Sequence, residues 1–266
     1  MRSRHIPMSW EEYELLPYEP GWKCEYWDNK AHITPRHHIV VTTVKVEPRD
    51  VSSPCLLRSA EPDDAERLFE AYIAAFGDSI EYCDYSREKI ERAARKTLDG
   101  HFVGERGEPM PVSCVAVDLQ KDSSEEKLVG AALIVRLENG PLLDLLLVEP
   151  PWQRCGLGTA MVSAAINELH QQSEKSLTSR YHIGNEKSLS WHQKFGFIEE
   201  PDLIRARLYY RRADQELWRR DRMSDLTPEE RERLGDQLKY WFIEVERLER
   251  IEKEQGYEAV HPLLRW

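Results

Sequence analysis

An α/β fold is what this 266-residue sequence predicts, and three observations predict it. Apolar strand candidates alternate with amphipathic helix candidates from Pro54 to about Arg212. A glycine loop, EPPWQRCGLGTAM at residues 149–161, joins an apolar run to a helical stretch. Hydrophobic residues make up 41% and charged residues 32%, enough apolar side chain for a buried core and too much for a disordered chain.

Residues 1–53 read as an N-terminal extension of helix and hairpin. SWEEYELL starts a short helix with Ser9 as N-cap and Glu12 three residues on, a capping box. CEYW and KAHIT flank Asp28-Asn29 as a hairpin, and HHIVVTTVKV is a β-branched strand. Pro48, Ser52, Ser53 and Pro54 mark the boundary to a central domain, residues 54–212.

In that domain CLLRSA is a strand, and PDDAERLFEAYIAAFG is a helix with acids in its first turn and Gly77 as its stop. SREKIERAARKTLDG is a second helix, capped by Ser86 and closed by Gly100. VSCVAVDL and KLVGAALIVRL are strands joined by the charged loop QKDSSEE, and PLLDLLLVE is a third apolar strand. GTAMVSAAINELHQQ is a helix, SLTSRYHIG a strand, NEKSLSWHQKF a helix, and IRARLYYRR a last strand. Residues 213–266 form a C-terminal helical extension. Thr227-Pro228-Glu229-Glu230 is a capping box with proline at the first helical position. Leu234, Leu238, Trp241, Val245 and Leu248 then form an apolar stripe that needs a partner, either its own domain or a second copy in a homodimer.

Composition narrows the function. No run is apolar enough to span a bilayer, and MRSRHIPMSW lacks the apolar segment of a secretory signal. The five cysteines are scattered and never in CxxC spacing, which points to a reducing, cytoplasmic setting without a disulfide framework or zinc ribbon. A net charge of −11 disfavours nucleic acid and suits a cationic amine. RARLYYRRADQELWRRDR mixes arginines with aromatics, but acids are interleaved and Glu216 can pair with Arg220, so a salt-bridged solvated face is expected. His37-His38 beside Asp28 has no further ligand at suitable spacing, and no metal is expected.

The glycine loop lacks the lysine of a P-loop and the third small residue of a dinucleotide fingerprint. Gln153-Arg154-Cys155-Gly156-Leu157-Gly158 instead follows a Q/R-x-x-G-x-G pattern. Its glycines let backbone N–H groups approach a ligand, and the helix beginning near Gly158 adds its positive end, so pyrophosphate is the natural occupant. Pro150 just after the strand lets that strand part from its neighbour. Asn185 follows one helix and one strand later, then Trp191-His192-Gln193-Lys194-Phe195-Gly196-Phe197.

These two motifs resemble the GCN5-related N-acetyltransferase (GNAT) family over roughly 160 residues, about the span of one domain. The resemblance implies a mixed, mostly antiparallel sheet splayed between its fourth and fifth strands, with helices on both faces. It implies acetyl-CoA as cofactor, CoA as product, and a small-molecule or peptide amine as acceptor. Carried over, Val148 would meet the pantetheine or thioester. Gln153, Arg154, Cys155, Gly156, Leu157, Gly158 and Thr159 would hold the pyrophosphate, and Asn185 and Ser188 would add cofactor contacts.

Acetyl transfer needs a base for the amine, a donor for the thioester oxygen and an acid for the thiolate. Glu149 and Asp144 are the candidate bases; Asp144 is an acid inside an apolar run. His192 stands where the family has tyrosine as acid, with Tyr181 as the substitute. Glu81, Tyr82, Asp84 and Tyr85 are candidates to line the acceptor pocket. The alternative is a GNAT-like protein that binds acetyl-CoA without catalysis. The opening MSWEEYELLPYEPGWKCEYWDNKAHITP also resembles Uma2-like proteins, with no room for their later core residues, so it reads as a structural hairpin.

Overall fold

The computed structural model describes residues 2–118 and 126–265. Most of the predicted loop QKDSSEE, and Leu119 before it, lie outside the described residues. In chain order the elements begin with β1 (Arg4–Pro7), α1 (Trp10–Glu14), β2 (Trp22–Trp27), β3 (Lys30–Pro35), β4 (Ile39–Lys45) and β5 (Leu56–Ser59). Next come α2 (Asp64–Phe76), α3 (Arg87–Phe102), β6 (Glu108–Pro109), β7 (Cys114–Asp118), β8 (Lys127–Leu137) and β9 (Gly140–Val148). The rest are α4 (Leu157–Gln171), β10 (Ser176–His182), α5 (Glu186–Phe195), β11 (Ile198–Glu199), α6 (Leu203–Arg222) and α7 (Pro228–Gln255). Two compact units divide them: residues 42–180 with 191–198, and residues 1–41 with 181–190 and 199–266.

The first unit is built on a sheet of order β11-β4-β10-β9-β8-β7-β5, with β6 against β8. Its pairs β5/β7, β7/β8 and β8/β9 are antiparallel and β9/β10 is parallel, so the sheet is mixed. Alternation along β7 decides its faces. Cys114 and Ala116 join Met161, Val162, Ile166 and Leu169 of α4, while Val115 and Val117 join Leu68 and Tyr72 of α2 and Leu98 of α3. Helices therefore cover both faces.

Pairing along β9 positions the site. Leu133 faces Leu145 but Ile134 faces Leu143, so Asp144 is an extra residue, a bulge. The bulge turns Leu143 to the α4 side and sends Leu145 and Leu147 to the α2 side. Among the described residues the β9/β10 register consists of Thr178↔Leu142 and Ser179↔Leu143, whereas β8 follows β9 to Val148. The two parallel strands part at the bulge, which is the expected splay.

In the second unit β1-β3-β2 form a small antiparallel sheet. Asp28 and Asn29 take φ of 50° and 54°, the two-residue hairpin turn their sequence favours. Ser9 and Glu12 make the expected capping box on α1, and Thr227 and Glu230 do so on α7. The apolar stripe of α7 finds its partner on α6: Leu248, Trp241 and Val245 pack with Leu203, Ala206 and Val260, and Trp241 stacks on Tyr209 at 4.9 Å.

Three local expectations are corrected. Residues 204–212 are helix, not strand, because Asp202 caps Arg205 N–H and the buried Leu203, Ala206 and Ala213 follow a helical spacing. Glu216 pairs with Arg219 at 2.9 Å, while Arg220 binds Asp225 and Glu230. α3 runs past Gly100 to Phe102, and Gly104 at φ 81° turns the chain instead. In addition β4, read from sequence with the N-terminal extension, supplies the strand between β11 and β10.

Candidate functional site

Backbone geometry at the end of β9 comes first. Glu149 N–H donates to Val129 O at 2.8 Å, so the Gly130–Val148 pair exchanges no hydrogen bonds, and Ala132–Leu146 two residues away is of the same kind. The N–H groups of Leu146 and Val148 therefore turn from β8 toward the side that β10 has left. Val148 O accepts from Gln153 Nε2 at 3.0 Å, which ties the loop to the strand.

The loop itself is built for close approach. Arg154 and Gly156 have φ of 65° and 88°, and a Cβ on Gly156 would meet nothing within 4 Å. α4 begins at Leu157 without a side-chain cap, leaving its first N–H groups unsatisfied by the helix. Leu157 is buried and anchors the helix, and Thr159 Oγ1 accepts from Trp191 Nε1 at 3.3 Å. Cys155 is exposed, with Sγ 2.8 Å from Trp152 O. Asn185 and Ser188 belong to the second unit, where Asn185 Oδ1 accepts from Ser188 N–H at 3.1 Å and so caps α5.

The candidate acid–base groups are all engaged. Asp144, its side chain 1% exposed, accepts from Arg106 Nε at 2.6 Å and Nη2 at 2.8 Å, with Arg180 3.8 Å away. Both oxygens of this candidate base are occupied by Arg106, and Arg180 stands by without a hydrogen bond to it. Those hydrogen bonds raise the Arg106 pKa against the opposing effect of burial. Glu149 is paired with the half-exposed Lys127 at 2.8 Å. His192 is buried with Nε2 2.9 Å from Ser179 Oγ, and its ring meets those of Trp191 and Phe197 edge-on. In the second unit the Tyr181 hydroxyl donates to Glu199 at 3.4 Å, and burial raises its pKa.

Tyr72 of α2 meets an aromatic group in the link from α2 to α3. Tyr72 and Tyr82 hydroxyls are 2.5 Å apart, and Tyr85 meets Tyr82 edge-on at 5.6 Å. Burial raises the Tyr82 pKa, with Tyr72 and Glu81 adding to the effect. Asp84 takes φ 65° in the turn before α3. The sequence pointed to Glu81, Tyr82, Asp84 and Tyr85 but not to Arg106, Arg180 or Ser179. A charged residue inside the strand SLTSRYH was the available signal for Arg180. Among the described residues no group of three or more His, Cys, Asp or Glu could hold a metal, and no helix is long and apolar enough to cross a membrane.

The acetyltransferase (GNAT) domain model matches residues 55–198. No curated protein matches the sequence. Among solved structures the chain is similar to a Drosophila protein at 17% identity and TM-score 0.39, covering 62% of this chain and 48% of that one. It is similar to the PaiA N-acetyltransferase of Thermoplasma acidophilum in complex with coenzyme A at 18% identity and TM-score 0.44, covering 55% of this chain and 91% of that one. A GCN5-related N-acetyltransferase from Sphaerobacter thermophilus aligns at 14% identity and TM-score 0.45, over 74% of this chain and 56% of that one. The chain thus spans about half the length of the Drosophila and Sphaerobacter proteins. With the domain match running from the first strand after the boundary to the end of the Gly196-Phe197 motif, the chain belongs to the GNAT acetyltransferase family.

Proposed function

We propose that the protein is an acetyl-CoA-dependent N-acetyltransferase that moves an acetyl group directly to a primary amine of a small molecule or peptide. The observation that carries this is the opening beside β9, where Leu146 and Val148 present N–H groups next to the glycine-built start of α4. Bound there, acetyl-CoA supplies an activated acyl thioester. Val148 N–H donates to the thioester oxygen as it gains charge. The N–H groups of Gly156 to Thr159 and the positive end of α4 receive the pyrophosphate, and Arg154 adds its charge. Gln153 holds the loop against Val148, Leu157 holds α4 in the core, and Cys155 takes no part in transfer. Asn185 and Ser188 remain proposed cofactor contacts.

In the transfer the amine nitrogen forms the new N–C bond as the C–S bond breaks. The amine proton goes to Glu149, whose other partner is only a half-exposed lysine. Asp144 is a positioning residue, since both its oxygens serve Arg106. The thiolate takes its proton from the His192–Ser179 pair, with Tyr181 as the other candidate. On this basis His192→Ala lowers kcat by about 100-fold, and unchanged kcat removes His192 from the chemistry. The acceptor is an amine in a cytoplasmic setting, without nucleic acid or membrane, and a homodimer through the C-terminal helix would use a face other than the stripe packed on α6.

A second function, acetyl-CoA binding without transfer, draws on the burial of His192 where the family has tyrosine. Thermal unfolding with acetyl-CoA, CoA, NAD and ATP tests the cofactor first. Acetyl-CoA or CoA at about 100 times its Kd adds about 2.7 kcal/mol of apparent stability. Shifts with those two alone support the proposal, and no shift with either ends both functions. An amine panel then separates transfer from binding.

A further inference from the structure

Arg180 is one residue beyond Ser179, the last β10 residue in register with β9, and so stands where the two strands part. Its nearest acidic atom is Asp144 Oδ1 at 3.8 Å, outside hydrogen-bond reach. That oxygen already accepts from Arg106 at 2.8 Å, and its twin does so at 2.6 Å. Among the described residues the Arg180 side chain makes no hydrogen bond, although it is only 29% exposed. A guanidinium offers five N–H donors in a planar fork, and burial without acceptors is costly. Burial indeed lowers its pKa, with Asp144 opposing and Arg106 adding to the effect.

The surrounding charges do not balance. Two guanidiniums share one carboxylate. Burial lowers the His101 pKa, so the imidazole is neutral near pH 7 and adds no charge. Its Nδ1 is buried with no hydrogen-bond partner among the described residues. Burial likewise keeps the Tyr82 hydroxyl neutral. At Asp144 the guanidiniums therefore outnumber the carboxylate by one, and the Arg180 fork is vacant, which is the complement of a planar carboxylate, while Glu81 acts on the Tyr82 side of the group.

We infer that Arg180 anchors a carboxylate of the acceptor, so that the substrate is an amino-acid-like zwitterion rather than a simple amine. The inference rests on the proposed transferase function for the amine end only. Asp144, beside Arg180, and Val148 are four residues apart on β9, about 13 Å of strand. The Arg180 side chain bridges part of that length, and several bonds of the acceptor bridge the rest.

The test is calorimetric titration of glycine, β-alanine, 4-aminobutyrate, 6-aminohexanoate and di- and triglycine, each beside an amine or amide of matched length. It is run on the wild type, Arg180→Gln and Arg180→Lys, with and without CoA. The carboxylates bind about 10- to 100-fold tighter than their matched neutral-ended amines, best at the longer spacings. Arg180→Gln erases the difference and Arg180→Lys restores part of it. Preference for the straight-chain acids over the peptides, or the reverse, identifies which source of carboxylate fits. Equal affinities within matched pairs for the wild type overturn the inference, as does a preference that Arg180→Gln retains. If Arg180→Gln does not fold, the wild-type pairs alone decide. A carboxylate preference without CoA binding leaves the anion site standing and sinks the transferase function instead.

Discussion

Asp144 and Asp64 are buried acids that do opposite kinds of work in sequence terms, one on a strand and one in the first turn of α2, yet each is held by arginine. For Asp144 the partner Arg106 is 35% exposed, which softens the usual penalty of stranding a buried charge. Asp144→Ala therefore lowers stability by about 1–3 kcal/mol, read as a lower urea midpoint with unchanged slope. An unaltered midpoint would show that the pair adds nothing to the fold. Asp64 is 2% exposed, and Arg58 donates to its two oxygens at 2.8 Å each while Glu61 N–H donates at 2.9 Å. Burial alone would push its pKa up, but these hydrogen bonds hold it below the usual carboxylate range. Because the folded value lies below the unfolded one, the stabilisation is complete above about pH 4 and disappears as pH falls through the folded value. Asp64→Asn therefore loses stability at pH 7 and shows a flatter acid limb below about pH 4. Parallel acid limbs in urea titrations of the two proteins would refute this.

At the scale of elements the junction between the glycine loop and α4 separates conformation from binding. Gly156 at φ 88° is in the left-handed region, so Gly156→Ala costs about 1 kcal/mol even though space is free around it. At Gly158 an added Cβ would meet Val148, Leu146 and Trp191 at 3.6 to 3.8 Å, which is ordinary contact. Gly158→Ala therefore keeps stability within about 0.5 kcal/mol, and any loss of the acetyl-CoA thermal shift belongs to the ligand site. Thermal unfolding of both variants with and without acetyl-CoA checks the contrast; equal destabilisation would contradict it. The sequence made this junction legible because strand, glycine and helix signals lie within one short stretch. Caps and turns such as Ser9, Asp28-Asn29 and Thr227 were legible for the same reason. The error at residues 204–212 came from arginines alternating with apolar residues, a pattern that outweighed the capping signal of Asp202. The partners of Asp144 were hidden because Arg106 and Arg180 are brought to it by separate elements, and no local spacing encodes the β9 bulge.

The whole molecule carries a net charge of −11, while the proposed reaction brings together a cationic amine and a polyanionic acyl donor. The two substrates should feel the global field with opposite sign. At low ionic strength the field draws in an alkylamine and opposes acetyl-CoA, which Arg154 and the start of α4 attract locally. Near physiological salt the Debye length of about 8 Å screens the distant acids but leaves short-range contacts in place. Raising salt from about 0.01 M to 0.15 M should therefore raise kcat/KM for acetyl-CoA and lower it for an alkylamine, each by about 2- to 5-fold. A zwitterionic acceptor, having no net charge, should lie between the two. Steady-state kinetics with each substrate varied in turn measures all three slopes. Slopes of the same sign for acetyl-CoA and alkylamine would mean that local charges at the site, not the overall acidity, govern approach, and that the acidic composition says nothing about the acceptor.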